Sequence, residues 1–317
     1  MGFTWVSLEL TNLCNMSCPM CCTMQFRQSE SESLLSREDI RQRILTPAKK
    51  VGASGFVISG GEPTLSDHLL DVVEDAKTLG FRIVLASNAL KETKYTFNEI
   101  LCALDSPLHV YQFSFDSIHE TQMNRIRGGN VHKKVMHNLN AIKEIKEENS
   151  LSVNLHSITV VQQENMDSVE ETVDFLHEKL RVDCCVVQPR VDYSYVTLEN
   201  YREKGRGIEE DELREKFIAA ASTLFSLKPK YPRLHIVGET VENWEKFYRN
   251  PLSLHGPCAS TGILFVDAFG NIRGCLSGVS SCNIRTVSLD AYMASQGYAK
   301  HQRLAKACRI CINGCSW

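Results

Sequence analysis

The sequence predicts an α/β fold organised around a parallel sheet, and one pattern in the chain supports this class. Apolar runs of strand length alternate with amphipathic stretches of helical length over the first 190 residues. Strands joined by helices must run parallel, with right-handed crossovers. Six such units form either a partial barrel or an open doubly wound sheet, and the pattern alone does not separate the two. Both arrangements place a site at the carboxyl ends of the strands.

Each element of this alternation has its own signal. The strands are short runs of mostly apolar, often β-branched residues, expected at Trp5–Leu10, Gly55–Ser59, Arg82–Ala86, Val110–Phe115, Ser152–Val160 and Asp183–Val187. The helices carry apolar residues at helical spacing, expected at Arg37–Lys50, Asp67–Leu79, Phe97–Leu104, His132–Lys146 and Val169–Lys179. Capping signals mark two of the helix starts, Ser36 with Asp39 and Ser168 with Glu171.

The alternation stops after Pro189, which predicts a domain boundary near Val191. We expect a barrel domain at 1–190, a bridging region at 191–257 and a cysteine-rich domain at 258–317. The bridge is expected to contain a helix at Glu209–Leu227, a strand at Leu234–Val237 and a helix at Val241–Tyr248. The last part predicts a hairpin, with a strand at Gly262–Val266 and a turn at Asp267–Asn271, followed by a helical stretch at Leu289–Lys306.

Composition narrows the class of protein further. The chain of 317 residues carries 35 basic and 38 acidic side chains, a balance that argues against a nucleic-acid-binding stripe and against a basic membrane surface. No apolar run is long enough to span a bilayer, and no export signal is seen, so a cytoplasmic location is expected. In that compartment thiols stay reduced, so the 13 cysteines are interpreted as metal ligands or catalytic groups rather than as disulfides.

Three cysteines crowd the loop after the first predicted strand. Cys14, Cys18 and Cys21 have the spacing C-x3-C-x2-C. Three thiolates on one loop can hold three irons of a [4Fe–4S] cluster and leave the fourth iron open to an external ligand. A zinc site is the alternative, but its closed tetrahedron needs a fourth ligand, and Cys22 directly follows Cys21, where it is interpreted as a packing residue. Buried thiols without a metal are a third interpretation.

A short glycine motif ends the second predicted strand. Gly60-Gly61-Glu62-Pro63 combines two residues that let backbone approach a ligand with a carboxylate that can accept hydrogen bonds from an ammonium group. A plain turn is the alternative. The motif gains weight from its position, one strand after the cysteine loop.

The cysteine triad followed by GGEP resembles the radical S-adenosylmethionine (SAM) superfamily. The resemblance implies a partial (β/α)6 barrel. It also implies that the open iron binds the amino and carboxylate groups of SAM and that the GGE stretch binds the SAM amine. In that family the reduced cluster cleaves SAM to methionine and a 5′-deoxyadenosyl radical, which abstracts a hydrogen atom from the substrate. One position departs from the family pattern, because Met20 stands where an aromatic residue usually packs on the adenine.

Three further residues resemble SAM contacts of the family at strand ends. Ser114, in the stretch FSFD, matches a serine that contacts SAM, and Arg127, in RGG, resembles an arginine that meets the SAM carboxylate. Asn88 ends the third strand at the same rim. A polar strand cap and a solvated arginine are the alternatives.

A second set of cysteines lies near the end of the sequence. Cys258 and Cys275 flank the predicted hairpin, whose ends come together, so that both can reach one metal with a later C-x2-C pair; zinc and iron–sulfur both suit thiolates. The arrangement is similar to the SPASM and twitch extensions of radical SAM enzymes, which hold auxiliary [4Fe–4S] clusters. The resemblance implies one such cluster here. Its first-choice ligands are Cys258, Cys275, Cys308 and Cys311, with Cys315 as a competitor for the last place.

The remaining cysteines are assigned less specifically. Cys282 is interpreted as a buried thiol, a spare ligand or a hydrogen donor in the active site. Alternation turns only one of Cys184 and Cys185 toward the barrel interior, and core packing is expected for this pair and for Cys102.

The resemblance implies an oxidoreductase or isomerase. We expect it to act on a C–H bond of a natural-product intermediate or a short peptide, giving oxidation, cyclisation or epimerisation. A reducing partner such as flavodoxin or ferredoxin is implied, and neither nucleic acid nor membrane is expected as a partner. Peptide-modifying members often carry an extra N-terminal recognition domain, which is not expected here. The alternative function is a non-catalytic iron–sulfur electron carrier or a zinc-stabilised binding module.

Overall fold

A computed structural model describes residues 3–21, 33–90, 94–191, 208, 210–250, 254, 259–274 and 280–307. Cys22 and the five cysteines expected at the auxiliary cluster lie outside the described residues. Within the described part of the chain, no helix is both long enough and apolar enough to cross a bilayer.

One sheet of ten strands organises the described chain. The strands are β1 (Trp5–Thr11), β2 (Gly55–Gly60), β3 (Arg82–Ser87), β4 (Val110–Ser114), β5 (Asn154–Val161), β6 (Cys184–Pro189), β7 (Leu234–Ile236), β8 (Ile263–Val266), β9 (Asn271–Arg273) and β10 (Ser280–Asn283). Their spatial order is β10-β9-β8-β1-β2-β3-β4-β5-β6-β7. All neighbours from β8 through β1 to β7 pair in parallel, whereas β9 and β10 pair antiparallel.

The helices connect the parallel strands and cover one face of the sheet. They are α1 (Arg37–Asp39), α2 (Thr46–Lys50), α3 (Leu69–Thr78), α4 (Phe97–Ala103), α5 (Glu120–Arg127), α6 (His132–Glu148), α7 (Val169–Phe175), α8 (Asp211–Ser226), α9 (Val241–Arg249), α10 (Leu289–Met293) and α11 (Gln296–Ala307). π-Helical segments at Ile40–Leu45 and Leu176–Leu180 join α1 to α2 and extend α7.

The two faces of the sheet bury different side chains. On β1, Val6, Leu8 and Leu10 enter the main core, which the helices cover. On the opposite, concave face, Val57, Val84 and Val110 form a small apolar cluster near the amino ends of their strands, with Trp5 packed against it. This cluster occupies the concave face at the amino ends of the strands. Polar side chains lie at the carboxyl ends of the strands, where the cavity described below is located.

The predicted α/β partial barrel and its six strands are confirmed, with strand ends that differ by one or two residues. The hairpin is confirmed as β8 and β9. The C-terminal helical stretch divides into α10 and α11. The sequence did not predict α5, because Met123 and Ile126 are its only large apolar residues and leave no continuous apolar stripe.

Two smaller predictions were wrong. Ser36 and Asp39 form the expected capping box, whereas Ser168 stands at the N-cap position of α7 but makes no side-chain capping hydrogen bond. Its hydroxyl instead donates to Gln122 Oε1 at 2.7 Å, so tertiary contact replaces the local cap. Cys102 is exposed on α4 rather than buried. Of the adjacent pair, Cys185 is fully buried and Cys184 is half-buried, as strand alternation requires.

Candidate active site at the carboxyl ends of the strands

A cavity of about 270 Å³ opens above the carboxyl ends of the central strands. Cys14, Cys18 and Cys21 line it together, and all three thiols are half-buried. The backbone N–H of Cys21 donates to Cys18 O at 3.0 Å, which closes a turn between the second and third cysteines. The structure therefore brings the triad to one side of a single cavity.

The three thiols do not converge on a single ion. Within the described ranges, no group of three or more His, Cys, Asp or Glu side chains is arranged to hold one metal ion. Two thiolates on one zinc lie at most about 4.6 Å apart, because each Zn–S bond is about 2.3 Å. A cluster places each thiolate on a different iron, so it does not require the three thiols to converge on one ion.

The GGEP segment packs directly on the cysteine loop. Gly61 N donates to Thr11 O, and Glu62 N donates to Leu13 O, both at 2.7 Å. A Cβ on Gly61 would lie 2.0 Å from Leu13 O, and a Cβ on Gly60 would lie 2.4 Å from Thr11 O. Both glycines line the cavity, but the close approach that requires them is to the backbone of the cysteine loop. Pro63 is buried at the start of a 3-10 turn and is not among the residues that line the cavity.

Glu62 is the central buried carboxylate of the site, with 1% of its surface exposed. Its Oε1 accepts from the Thr64 hydroxyl at 2.7 Å and the Ser87 hydroxyl at 2.9 Å, and its Oε2 accepts from Asn88 N at 2.8 Å. Burial raises the pKa of Glu62, and these hydrogen bonds oppose the shift. A carboxylate oxygen can accept about two hydrogen bonds, so Oε2 retains capacity for one further donor from the cavity.

Asn88 joins Glu62 to the cysteine loop. Its amide nitrogen donates to Asn15 Oδ1 at 2.8 Å and lies 3.9 Å from Cys14 Sγ. The next residue, Ala89, has a φ of +56°, which is unfavourable for a side chain other than glycine. Hydrogen bonds to both sides of its backbone, from Asn138 Nδ2 to Ala89 O and from Ala89 N to Ser87 Oγ, hold this conformation. Such strain is typical of functional sites.

Arg127 reaches the opposite side of the cysteine loop from the end of α5. It lines the cavity, is 7% exposed, and pairs with the fully buried Asp116 at 2.5 Å between Nη2 and Oδ2. The contact is an ion pair without hydrogen-bond alignment at Oδ2, and Arg127 Nε has no hydrogen-bond partner among the described residues. The guanidinium also lies close enough to Cys18 for its positive charge to act on the thiol. Burial raises the pKa of the Cys18 thiol, and Arg127 opposes that shift.

Ser114 and Cys282 are the two remaining predicted site residues. Ser114 lines the cavity from the end of β4, near Arg127. Cys282 does not: it lies on β10 opposite Ile272 and packs against the main core. Its assignment as a hydrogen donor stays a prediction, and its placement favours the buried-thiol alternative.

Several cavity residues were not predicted from the sequence. Gln112 on β4 is 5% exposed and lines the cavity, and Gln188 lines it from β6. Gln162 Nε2 contacts Met20 Sδ at 3.3 Å, so a buried amide supports the position where an aromatic residue was expected. Strand alternation places Gln112 two residues before Ser114 on the same face, and this periodicity was the available signal.

Comparison with protein families gives one match, to the radical SAM superfamily over residues 8–176, more than half of the chain. The chain is 26% identical to the PqqA peptide cyclase of Bradyrhizobium diazoefficiens over 56% of this chain and 45% of that protein. It is 24% identical to the GTP 3′,8-cyclase of Mannheimia succiniciproducens over 96% of this chain and 90% of that protein. The matched region covers less than half of the length of the Bradyrhizobium protein.

Solved structures share the fold at low identity. Streptococcus suis SuiB, bound to its precursor peptide SuiA, matches with a TM-score of 0.71 and 14% identity over 99% of this chain and 72% of that chain. The protein anSMEcpe with bound AdoMet matches with a TM-score of 0.64 and 17% identity over 97% of this chain and 88% of that chain. With the family match, the site geometry and this shared fold, the chain belongs to the radical SAM superfamily.

Proposed function

We propose that the chain cleaves SAM reductively and abstracts a hydrogen atom from a C–H bond of a natural-product intermediate or a short peptide. Oxidation, cyclisation and epimerisation are the outcomes open to such an enzyme. The observation that carries the proposal is that Cys14, Cys18, Cys21, Glu62 and Arg127 line one cavity at the carboxyl ends of the strands. Radical SAM enzymes use a [4Fe–4S] cluster with SAM, and a bound cluster supplies the electron that cleaves the sulfonium.

The side chains present fit these two groups. The three thiols are the cluster ligands in this proposal. Glu62 Oε2, with one acceptor position left, receives the SAM ammonium, and the buried Arg127 Nε is a donor suited to the SAM carboxylate. Asn88 and Ser114 complete the wall of the SAM site.

We assign substrate contacts to those polar side chains of the cavity that take no part in binding the cluster or SAM. Gln112 is nine-tenths buried and makes no side-chain hydrogen bond to any other described residue. Gln188 lies across the cavity on β6. Carboxamides offer donors and acceptors but no charge, which suits a polar substrate with hydroxyl or amide groups.

The C-terminal cysteines are proposed to hold an auxiliary [4Fe–4S] cluster, which makes residues 258–317 a twitch-like domain. The neighbouring described residues support this. Gln302 Nε2 on α11 donates to Thr261 O, three residues after Cys258. A Cβ on Gly274, which precedes Cys275, would lie 3.2 Å from His301 of the same helix. Thr261, Gly274 and Ala307, which are close in sequence to Cys258, Cys275 and Cys308, thus either contact α11 or end it.

The test is production of 5′-deoxyadenosine. Anaerobically reconstituted protein is incubated with SAM and sodium dithionite, and the nucleoside is quantified by mass spectrometry. Wild type is expected to release it, and a variant with Cys14, Cys18 and Cys21 changed to alanine is expected to release none. Cys102→Ala is the matched control, because that thiol is exposed on α4. A colourless zinc protein, or an iron–sulfur protein without SAM cleavage, would instead establish the binding-module or electron-carrier alternative.

The substrate is then sought by deuterium transfer. Candidate substrates labelled at C–H positions are supplied, beginning with GTP and with short peptides, because the relatives include a GTP 3′,8-cyclase and a peptide cyclase. Deuterium in 5′-deoxyadenosine identifies both the molecule and the carbon attacked. A flavodoxin or ferredoxin is the proposed physiological reductant in place of dithionite.

A further inference from the structure

Asp116 and Arg127 form a buried ion pair behind the second cysteine. Their side chains are 0% and 9% exposed, and the Nη2–Oδ2 separation is 2.5 Å. Arg127 lines the same cavity as Cys18, and Gly128, the residue after Arg127, closely approaches Ser17 and Pro19, the two neighbours of Cys18 in sequence. Two opposite charges therefore lie in a low-dielectric layer beside one proposed cluster ligand.

Backbone contacts lie on both sides of the pair, one at Asp116 and one next to Arg127. Asp116 Oδ1 accepts from Val160 N at 2.9 Å, which fixes the carboxylate against β5. Gly128 follows Arg127 with a φ of +74°, and a Cβ there would lie 2.4 Å from Ser17 O. The end of α5 is thus pressed against the residue before Cys18, and Arg127 cannot move from the cysteine loop without moving the loop itself.

We infer that Arg127 and Asp116 set the reduction potential of the cluster that we propose at Cys14, Cys18 and Cys21, with opposite signs. The positive charge of Arg127, next to the cysteine loop, stabilises the more negative, reduced cluster. Asp116 is a positioning residue that orients the guanidinium and partly offsets its charge. The inference rests on the proposed function and extends the role of Arg127 beyond contact with SAM.

The two substitutions are expected to shift the potential in opposite directions. Cluster potentials follow net charge and hydrogen bonds to the sulfurs. Arg127→Met removes a cation beside the cluster, so one-electron reduction becomes harder. Asp116→Asn removes a buried anion and keeps the shape of the side chain, so reduction becomes easier. A merely structural role for the pair predicts shifts of the same sign, because loosening the loop acts alike in both variants.

The experiment is a redox titration followed by electron paramagnetic resonance, on anaerobic, SAM-free protein with dithionite as the one-electron donor. The signal of this cluster is the component missing from the triple cysteine-to-alanine variant. At the wild-type midpoint, Arg127→Met is expected to lower the ratio of reduced to oxidised cluster about tenfold, which is 59 mV for a one-electron couple. Asp116→Asn is expected to raise the ratio about threefold, a smaller change because Asp116 acts on the cluster mainly by offsetting the charge of Arg127.

The controls lie on the same helix. Arg125→Met and Glu120→Gln remove a cation and an anion from exposed positions of α5 and are expected to leave the midpoint unchanged. Arg127→Lys keeps the charge without the planar fork and is expected to give an intermediate midpoint, which also covers failure of Arg127→Met to fold. Unchanged midpoints, or shifts of one sign, overturn the inference while leaving the proposed function intact. Absence of any cluster at the triad overturns both.

Discussion

At the scale of single residues, Glu62 links the GGEP segment, through Asn88, to the cysteine loop. Its carboxylate accepts from Thr64, Ser87 and Asn88, and Asn88 in turn donates to Asn15 in the cysteine loop. The buried charge is thus held by neutral donors, and no cation among the described residues is paired with it. A buried carboxylate without a counter-ion favours binding of an ammonium group.

Glu62→Gln tests this directly. The amide is nearly isosteric and can still accept from Asn88 N, so the fold is expected to persist. The proposed pairing with the SAM ammonium loses its charge, and a hydrogen bond to a charged group contributes about 1.5–3 kcal/mol. The Kd for SAM, measured by anaerobic calorimetry, is therefore expected to rise about tenfold to a hundredfold.

Asp67→Asn provides the comparison for Glu62→Gln. Asp67 is exposed and pairs with Lys94 at 2.8 Å, so its change removes a nearby negative charge without touching the cavity. The Asp67→Asn variant is expected to bind SAM with the same affinity as wild type. Equal affinities for both variants and wild type would show that Glu62 does not meet the ammonium group.

At the scale of elements, the sequence predicts what is periodic and misses what depends on tertiary contact. The six strands and the cysteine loop were found because apolar runs and C-x3-C-x2-C spacing are local signals. Ser168 carried an equally local capping signal, yet it bonds to Gln122 on a neighbouring helix. The Asp116–Arg127 pair was also missed, because its partners come from the loop after β4 and from α5, and nothing in either segment indicates the other.

The junction between α5 and the cysteine loop makes Gly128 a sensitive position. Gly128→Ala introduces a Cβ 2.4 Å from Ser17 O, at a left-handed φ of +74°. The left-handed backbone alone costs about 1–2 kcal/mol for a residue with a side chain, and the clash is relieved only if the loop shifts. We expect iron to leave the proposed cluster at Cys14, Cys18 and Cys21 faster than in wild type. The rate is measured by adding an iron chelator and recording the change in absorbance.

The adjacent glycine is a matched control for that change. At Gly129 an added Cβ would meet only Val131 Cγ1, at 3.8 Å, which is an ordinary contact. Gly129→Ala is expected to release iron at the wild-type rate. Equal release rates for the two alanine variants would mean that the α5 junction does not support the cysteine loop.

At the scale of the whole molecule, a largely buried charge triad ties the first strand to the C-terminal hairpin. Arg273 on β9 lies 3.3 Å from Glu9 Oε1 and 2.9 Å from Asp267 Oδ2. Asp267 also accepts from the backbone N–H groups of Phe269 and Asn271, whereas Arg273 is the cation that faces Glu9. Because Glu9 and Arg273 are 264 residues apart in sequence, this contact closes the described chain on itself.

Arg273→Met is expected to destabilise the protein strongly, because removing one partner of a buried ion pair typically costs about 3–5 kcal/mol. The effect depends on pH. Burial raises the pKa of Glu9, so the cost of its ionised form is absent below the unfolded pKa of about 4.3 and develops as pH rises through the folded pKa. Loss of Arg273 raises that folded pKa further, so the loss of unfolding free energy, measured in urea, should be larger at pH 8 than at pH 5.

The double variant Glu9→Gln with Arg273→Met separates charge from packing. It removes the carboxylate that the single variant leaves unpaired, while Asp267 keeps its backbone donors. Much of the lost stability is therefore expected to return, and the difference between pH 8 and pH 5 should disappear. If the double variant is as unstable as the single one at both pH values, the hairpin depends on the bulk of Arg273 rather than on its charge.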